Sequence, residues 1–196
     1  MHDMVHQFCQ HFTIDASTIN QEALRLELEA LAKKYSTPLP SVSLSEIIPD
    51  SIKLYSDGAC SGNPGKGGWG AVILLHDGST IELSGAEAMT TNNRMELIAA
   101  IEALRYIVNQ NIPYSAITLT TDSSYVKNGI TQWIHNWKRN QWRTSTKEPV
   151  KNQDLWQALD LLNQQLKPQW LWSKGHAGHQ WNERCDTLAV QARNAL

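Results

Sequence analysis

Residues 52–85 read IKLYSDGACSGNPGKGGWGAVILLHDGSTIELSG, and the order of elements in this stretch decides the fold. IKLYSD alternates apolar and polar side chains, the two-residue period of a strand with one buried face. The glycine-rich CSGNPGKGG reads as a turn into WGAVILLH, a second strand. HDGST carries the Asp-Gly signal of a hairpin and leads into IELSG, a third strand. Three strands joined by such short connections form an antiparallel meander.

Working outward, NNRMELIAAIEALRYIVNQ (92–110) predicts a long helix. Leu97, Ile101, Leu104 and Val108 share one face, and Asn92 or Asn93 stands where a cap belongs. AITLTTD (116–122) is a fourth strand, and short helices are expected from Ser123 to about Asn136. LWQALDLLNQQL (155–166) is amphipathic, PQWLWS (168–173) is a fifth strand and NERCDTLAVQARNAL (182–196) a final helix. The order βββαβαβα predicts an α/β fold, a mixed five-stranded sheet with helices on both faces. Upstream, NQEALRLELEALAKK (20–34) predicts a single helix. STPLPSVSLSEIIPDS (36–51) follows, a linker with three prolines and five serines. The expected organisation is an extension over residues 1–50 and one folded domain over 51–196.

No apolar run approaches the ~20 residues of a membrane span, and the N-terminus lacks the pattern of a signal peptide. Three cysteines without a CxxC pair suit free thiols in a reducing cytoplasm, the expected location. The net charge of −2 hides an asymmetry. Residues 1–50 carry three basic and seven acidic groups, whereas residues 51–196 carry 14 basic and 12 acidic. Lys138, Arg139, Arg143, Lys147 and Lys151 cluster against Glu148 alone. An isoelectric point of about 6.4 would argue against a polyanion partner, but a nucleic acid feels the nearest face within a Debye length of ~8 Å.

Four carboxylates sit at element ends. Asp57 ends the first strand, Asp122 ends the fourth, and Glu96 and Asp186 lie in the first turns of two helices. If the first and fourth strands are neighbours, all four can converge. Converging acids without basic partners have raised, coupled pKa values unless cations neutralise them. Hard oxygen ligands favour Mg²⁺, or Mn²⁺, over zinc, and two such ions ~4 Å apart suit phosphoryl displacement. Taken singly, an Asp after a strand is more often a turn former.

The surroundings of the four acids form a stronger pattern. YSDGACSGNPGKGGWGAV, TTNNRMELIAAIEAL, LTTDSSYVKNGITQWIHNWKRNQW and WSKGHAGHQWNERCDTLA occur in that order. Together they resemble type 1 ribonuclease H of the bacterial kind across essentially all of residues 51–196. The resemblance implies an endonuclease that hydrolyses the RNA strand of an RNA–DNA hybrid, leaving 5′-phosphate and 3′-hydroxyl ends. Asp57, Glu96, Asp122 and Asp186 are then the metal-binding catalytic residues, and His176 assists proton transfer or product release. The competing readings are another nuclease of the same fold and a hybrid-binding module that has lost catalysis.

The same resemblance makes WIHNWKRNQWRTSTKEPVK (133–151) a basic handle for the DNA strand. Trp133, Trp137 and Trp142 interleave there with Lys138, Arg139 and Arg143, and core packing is the expectation for at least Trp133. Backbone amides around the glycine-rich turn (Gly58, Ala59, Cys60) and the side chains of Asn63, Asn92 and Gln132 suit the reading of 2′-hydroxyls. Thr91 and Arg94 are implied to lie near a phosphate pocket. His176, His179 and Cys185 offer zinc ligands, but the acidic set fits magnesium better. Asn182 is expected to cap the last helix. Gln180–Trp181 departs from the Pro–Glu common in bacterial relatives, which puts the mobility of the preceding loop in question. The expected state is a monomer, with residues 1–50 as a docking or self-association element. That extension lacks the Trp and Lys richness of a second grip on nucleic acid.

Overall fold

The structure, a computed structural model, describes residues 51–174 and 179–196. The helix expected over residues 20–34, the linker after it and His176 lie outside the described residues. Strands β1 (Ile52–Gly62), β2 (Gly65–Leu74) and β3 (Thr80–Thr90) come first, followed by helix α1 (Asn92–Asn109) and strand β4 (Ile117–Thr121). A short helix α2 (Ser124–Asn128), a π-helical turn (Gly129–Trp133) and helix α3 (Ile134–Arg139) come next. Helix α4 (Gln153–Leu166), strand β5 (Gln169–Trp172) and helix α5 (Gln180–Asn194) complete the order.

The sheet runs β3-β2-β1-β4-β5. Its first three strands are the expected antiparallel meander, while β4 lies parallel to β1 and β5 parallel to β4. Side-chain alternation splits the core between the two faces. Ile52, Leu54, Ala71, Ile73 and Leu119 are buried with Leu97, Ile101 and Leu104 of α1 and with Trp156 and Leu159 of α4. Tyr55 and Val72 turn the other way and pack on Cys185 and Leu188 of α5. The α/β class and the five-stranded mixed sheet are as expected. Among the described residues no helix is long and apolar enough to cross a membrane.

Three local expectations are corrected. The glycine-rich stretch is strand, not turn: β1 continues through Ala59–Gly62, β2 begins at Gly65, and only Asn63 and Pro64 connect them. The glycines are there for helix packing. A Cβ on Gly68 would lie 2.1 Å from the Ala189 carbonyl oxygen, and one on Gly70 would lie 2.3 Å from that of Cys185. Bare backbone on β2 therefore lets α5 lie directly on the sheet. Secondly, Thr91 and not Asn92 or Asn93 holds the cap position of α1, without a side-chain cap bond. The Asn92 amide reaches Glu96 instead. Thirdly, α5 begins at Gln180, so Gln180 and Trp181 form its first turn and are not loop residues. Trp181 earns that turn its packing, against the cluster of Tyr55, Val72, Cys185 and Leu188.

Gly68→Ala should displace α5 from β2 and destabilise the fold by about 1–3 kcal/mol, as overpacking does. Urea unfolding at constant m-value checks this. A loss below about 0.5 kcal/mol would mean the helix is not seated on bare backbone.

Candidate active site

Parallel pairing of β1 and β4 sets Ser56 opposite Thr121. The next residues, Asp57 and Asp122, therefore lie side by side. Asp57 does not end its strand as expected: β1 runs on to Gly62 on the β2 side, with Asp57 paired to Gly70, and only Asp122 follows a strand end. Asp57 is buried, and its Oδ1 accepts from the Gly58 amide at 2.8 Å. Gly58 in turn admits α1, because a Cβ there would lie 2.4 Å from the Glu96 nitrogen. Close seating of α1 brings Glu96, also buried, over Asp57. One oxygen each from Asp57, Glu96 and Asp122 lie within 4.8 Å of one another.

Side-chain amides hold the other two acids. Glu96 Oε1 accepts from Asn92 Nδ2 at 3.3 Å, whereas its buried Oε2 has no hydrogen-bond partner. Asp122 Oδ2 accepts from Asn182 Nδ2 at 3.1 Å, and its backbone carbonyl accepts from Trp172 Nε1 at 3.0 Å. Asn182 is thus a buried positioning group and not a cap; His179 holds the cap position of α5. Arg184 clamps α5 to β3 through a two-pronged contact with Glu82, both at 2.7 Å. Asp186, half-buried on α5, is not one of the three clustered acids, but its charge is felt at Asp57.

The electrostatics of the cluster are unfavourable without a cation. Burial, then the neighbouring charges of Asp122 and Asp186, push Asp57 up to about 7, against the pull of the Gly58 amide. Burial foremost, with Asp57 and Asp122 behind it, also holds Glu96 well above the carboxylate range. A partnerless buried oxygen in an all-oxygen set fits a hard divalent cation. It does not fit zinc, since Cys185 is fully buried and its thiol is pushed up, chiefly by burial.

A family model described as RNase H matches residues 49–194. The chain belongs to the ribonuclease H family. It is 58% identical over 139 residues to a ribonuclease H of Dinoroseobacter shibae, covering 69% of this chain and 86% of that one. It is 57% identical over 145 residues to a ribonuclease H of Hydrogenovibrio crunogenus, covering 74% and 97%. Among solved structures it is similar to LC9-RNase H1, a type 1 RNase H with the type 2 active-site motif. That match has a TM-score of 0.66 and 33% identity, over 74% of this chain and 72% of the other.

Within this ribonuclease H fold the remaining expected residues fall into two groups. Gly58, Ala59 and Cys60 lie half-buried on β1 beside the acids. Asn63 Oδ1 accepts from the Asn92 backbone N–H at 3.3 Å, which ties the β1–β2 connection to the start of α1, next to Thr91. Arg94 contacts both oxygens of Asp154 on α4 at 3.3 Å. Gln132 and Trp133 are exposed on the π-helical turn. The expectation of core packing for Trp133 is therefore corrected: 38% of it stays exposed, and its ring stands edge-on to Tyr125 and tilted against Trp137, centroids 6.1 and 5.9 Å away. Trp137 and Trp142 are the ones packed on the core. Arg139 and Arg143 are exposed, and Lys138 reaches Asp160 on α4 at 2.6 Å. Sequence reasoning missed Trp172, Asp154 and Asp160, whose partners lie tens of residues away and leave no local signature.

The raised Asp57 carboxyl makes a signed prediction. Its native pKa of about 7 exceeds its unfolded value of ~3.9, so its contribution is fully present below ~4 and is lost as pH rises through 7. In EDTA the protein should therefore lose stability relative to Asp57→Asn between pH 4 and 8, and a divalent cation should reverse that trend. Denaturant melts across this range check it, and parallel pH curves for the two proteins would refute it.

Proposed function

We propose that this protein hydrolyses the RNA strand of RNA–DNA hybrids, with Mg²⁺ or Mn²⁺ held by Asp57, Glu96, Asp122 and Asp186. The observation that carries the reading is the convergence of three carboxylate oxygens within 4.8 Å at the ends of the β1–β4 pair. When bound, such cations polarise the phosphate and lower the pKa of water. The chain's own part is positional. Asp57, Glu96, Asp122 and Asp186 would hold the cation, Asn182 and Trp172 hold Asp122 from two sides, and Arg184 anchors α5. Water attacks the phosphorus, the bond to the 3′ oxygen breaks, and that oxygen takes up a proton. The products carry 5′-phosphate and 3′-hydroxyl ends. His176 serves as the proton carrier or eases product release, a role that suits an imidazole near neutral pH.

Recognition is separate from cutting. The polar groups around Asn63 and Asn92, close to the acids, suit 2′-hydroxyls in a shallow minor groove. Thr91 and Arg94 suit a phosphate of the DNA strand. The handle over 133–151 offers exposed cations and the Trp133 ring to the same strand.

Labelled hybrid, duplex DNA and duplex RNA, each with Mg²⁺ and with EDTA, test the reading. Cleavage restricted to the RNA of the hybrid and abolished by EDTA is expected. Cutting of duplex DNA would favour another nuclease of the same fold, and tight binding without cutting a module that has lost catalysis. Asp57→Asn should reduce cleavage to background at any Mg²⁺ level with the fold retained. Joint Arg139→Gln and Arg143→Gln should raise KM and flatten the salt dependence of hybrid binding by about two in log–log slope. An unchanged slope would remove these arginines from the grip.

A further inference from the structure

The handle stands on little backbone. It comprises a π-helical turn and the six residues of α3, and its last cations lie beyond the helix end. Two contacts tie it to α4. The first is aromatic: Trp137 packs on the fully buried Trp156, ring centroids 5.3 Å apart. The second is ionic. Lys138 Nζ lies 2.6 Å from Asp160 Oδ2, and Gln164 Nε2 donates to that same oxygen, also at 2.6 Å. Asp160 is only 9% exposed.

The burial of Asp160 decides what Lys138 can do. A phosphate that captured the ammonium, whose side chain is 43% exposed, would leave the largely buried Asp160 carboxylate with only the Gln164 amide against it, and an uncompensated charge held away from water is unfavourable. Its neighbours are under no such constraint. Arg139 donates to the uncharged Asn136 side chain, and Arg143 to the Lys147 carbonyl at 2.8 Å. Both can turn to a phosphate without stranding a charge. In the sequence these three cations are equivalent, but their partners separate them.

We infer that Lys138 is a positioning residue: its pair with Asp160 fixes the handle on α4 and so sets where Arg139 and Arg143 meet the nucleic acid, while Lys138 neutralises no phosphate itself. The inference rests on the reading of 133–151 as the grip on a hybrid. Asp160, which carries no motif, becomes part of substrate recognition through a contact that never touches substrate.

The test uses the full chain with Lys138→Met, Asp160→Asn, the double variant and Lys138→Arg. Steady-state cleavage of hybrid, the salt dependence of hybrid binding and melting temperatures are measured for each. Wild-type cleavage in the same series keeps a failure of the hybrid reading distinct, and the melting temperatures report the coupling of the two side chains whatever the substrate. Both single variants should raise KM about five- to tenfold with kcat within about twofold, and the double variant should be no worse than either. The log–log salt slope should stay at the wild-type value throughout, and Lys138→Arg should recover most of the affinity. A slope shallower by about 0.9 in Lys138→Met alone would make Lys138 a phosphate contact and overturn the inference. Unchanged KM in the single variants, or independent effects in the double variant, would overturn it too. Should Asp160→Asn fail to fold, the Lys138 variants decide by the same criteria.

Discussion

Parallel pairing of β1 with β4 is the constraint on which the site depends. It sets Ser56 opposite Thr121, so the acids that follow, Asp57 within β1 and Asp122 just past β4, stand at one level. Everything else is brought to that point by missing side chains. Gly58 lets α1 approach until Glu96 hangs over Asp57, and Gly68 and Gly70 let α5 lie on β2 with Asn182 turned toward Asp122. The result is a pocket where like charges are held together in poor solvent. Desolvation and mutual repulsion raise Asp57 to about 7 and hold Glu96 well above the carboxylate range, an arrangement that an added positive charge relieves.

Much of this was legible in the chain because strand and helix periods are local. The alternation in IKLYSD and the stripe of Leu97, Ile101 and Leu104 both became core, and the element order matches the sheet observed. The glycine run was harder. Glycine marks a turn when backbone must bend and a close approach when another element must sit on it, and sequence alone does not separate the two. Here β1 and β2 run straight through it. The start of α5 was placed late because Trp181 looks like a loop aromatic until Tyr55 and Val72 are seen beneath it. Trp133 erred in the other direction, since aromatic content predicts burial and only tertiary contacts decide which face is left open.

Side-chain partners were the least legible level. Asn182 to Asp122 and Trp172 to the Asp122 carbonyl join residues 60 and 50 positions apart. A residue type at a helix start suggests a cap, and nothing local tells a capping Asn from one that reaches across the sheet. The handle teaches the same lesson with charge. A count of cations treats Lys138, Arg139 and Arg143 alike, yet Lys138 alone of the three faces a buried carboxylate among the described residues. If 133–151 is the grip proposed above, cutting and gripping use different physics in one domain: concentrated negative charge out of water at the sheet, dispersed positive charge in water on the handle.

A cation entering this cluster would displace protons, that of Asp57 first, since its carboxyl is raised to about 7. Calorimetric titration of Mn²⁺ into the protein, repeated in buffers of different ionisation enthalpy, counts those protons directly. At pH 6 the account predicts release of about one proton or more per protein, falling as pH rises well past 7. Saturable Mn²⁺ binding with no proton release at any pH from 6 to 8 would contradict it.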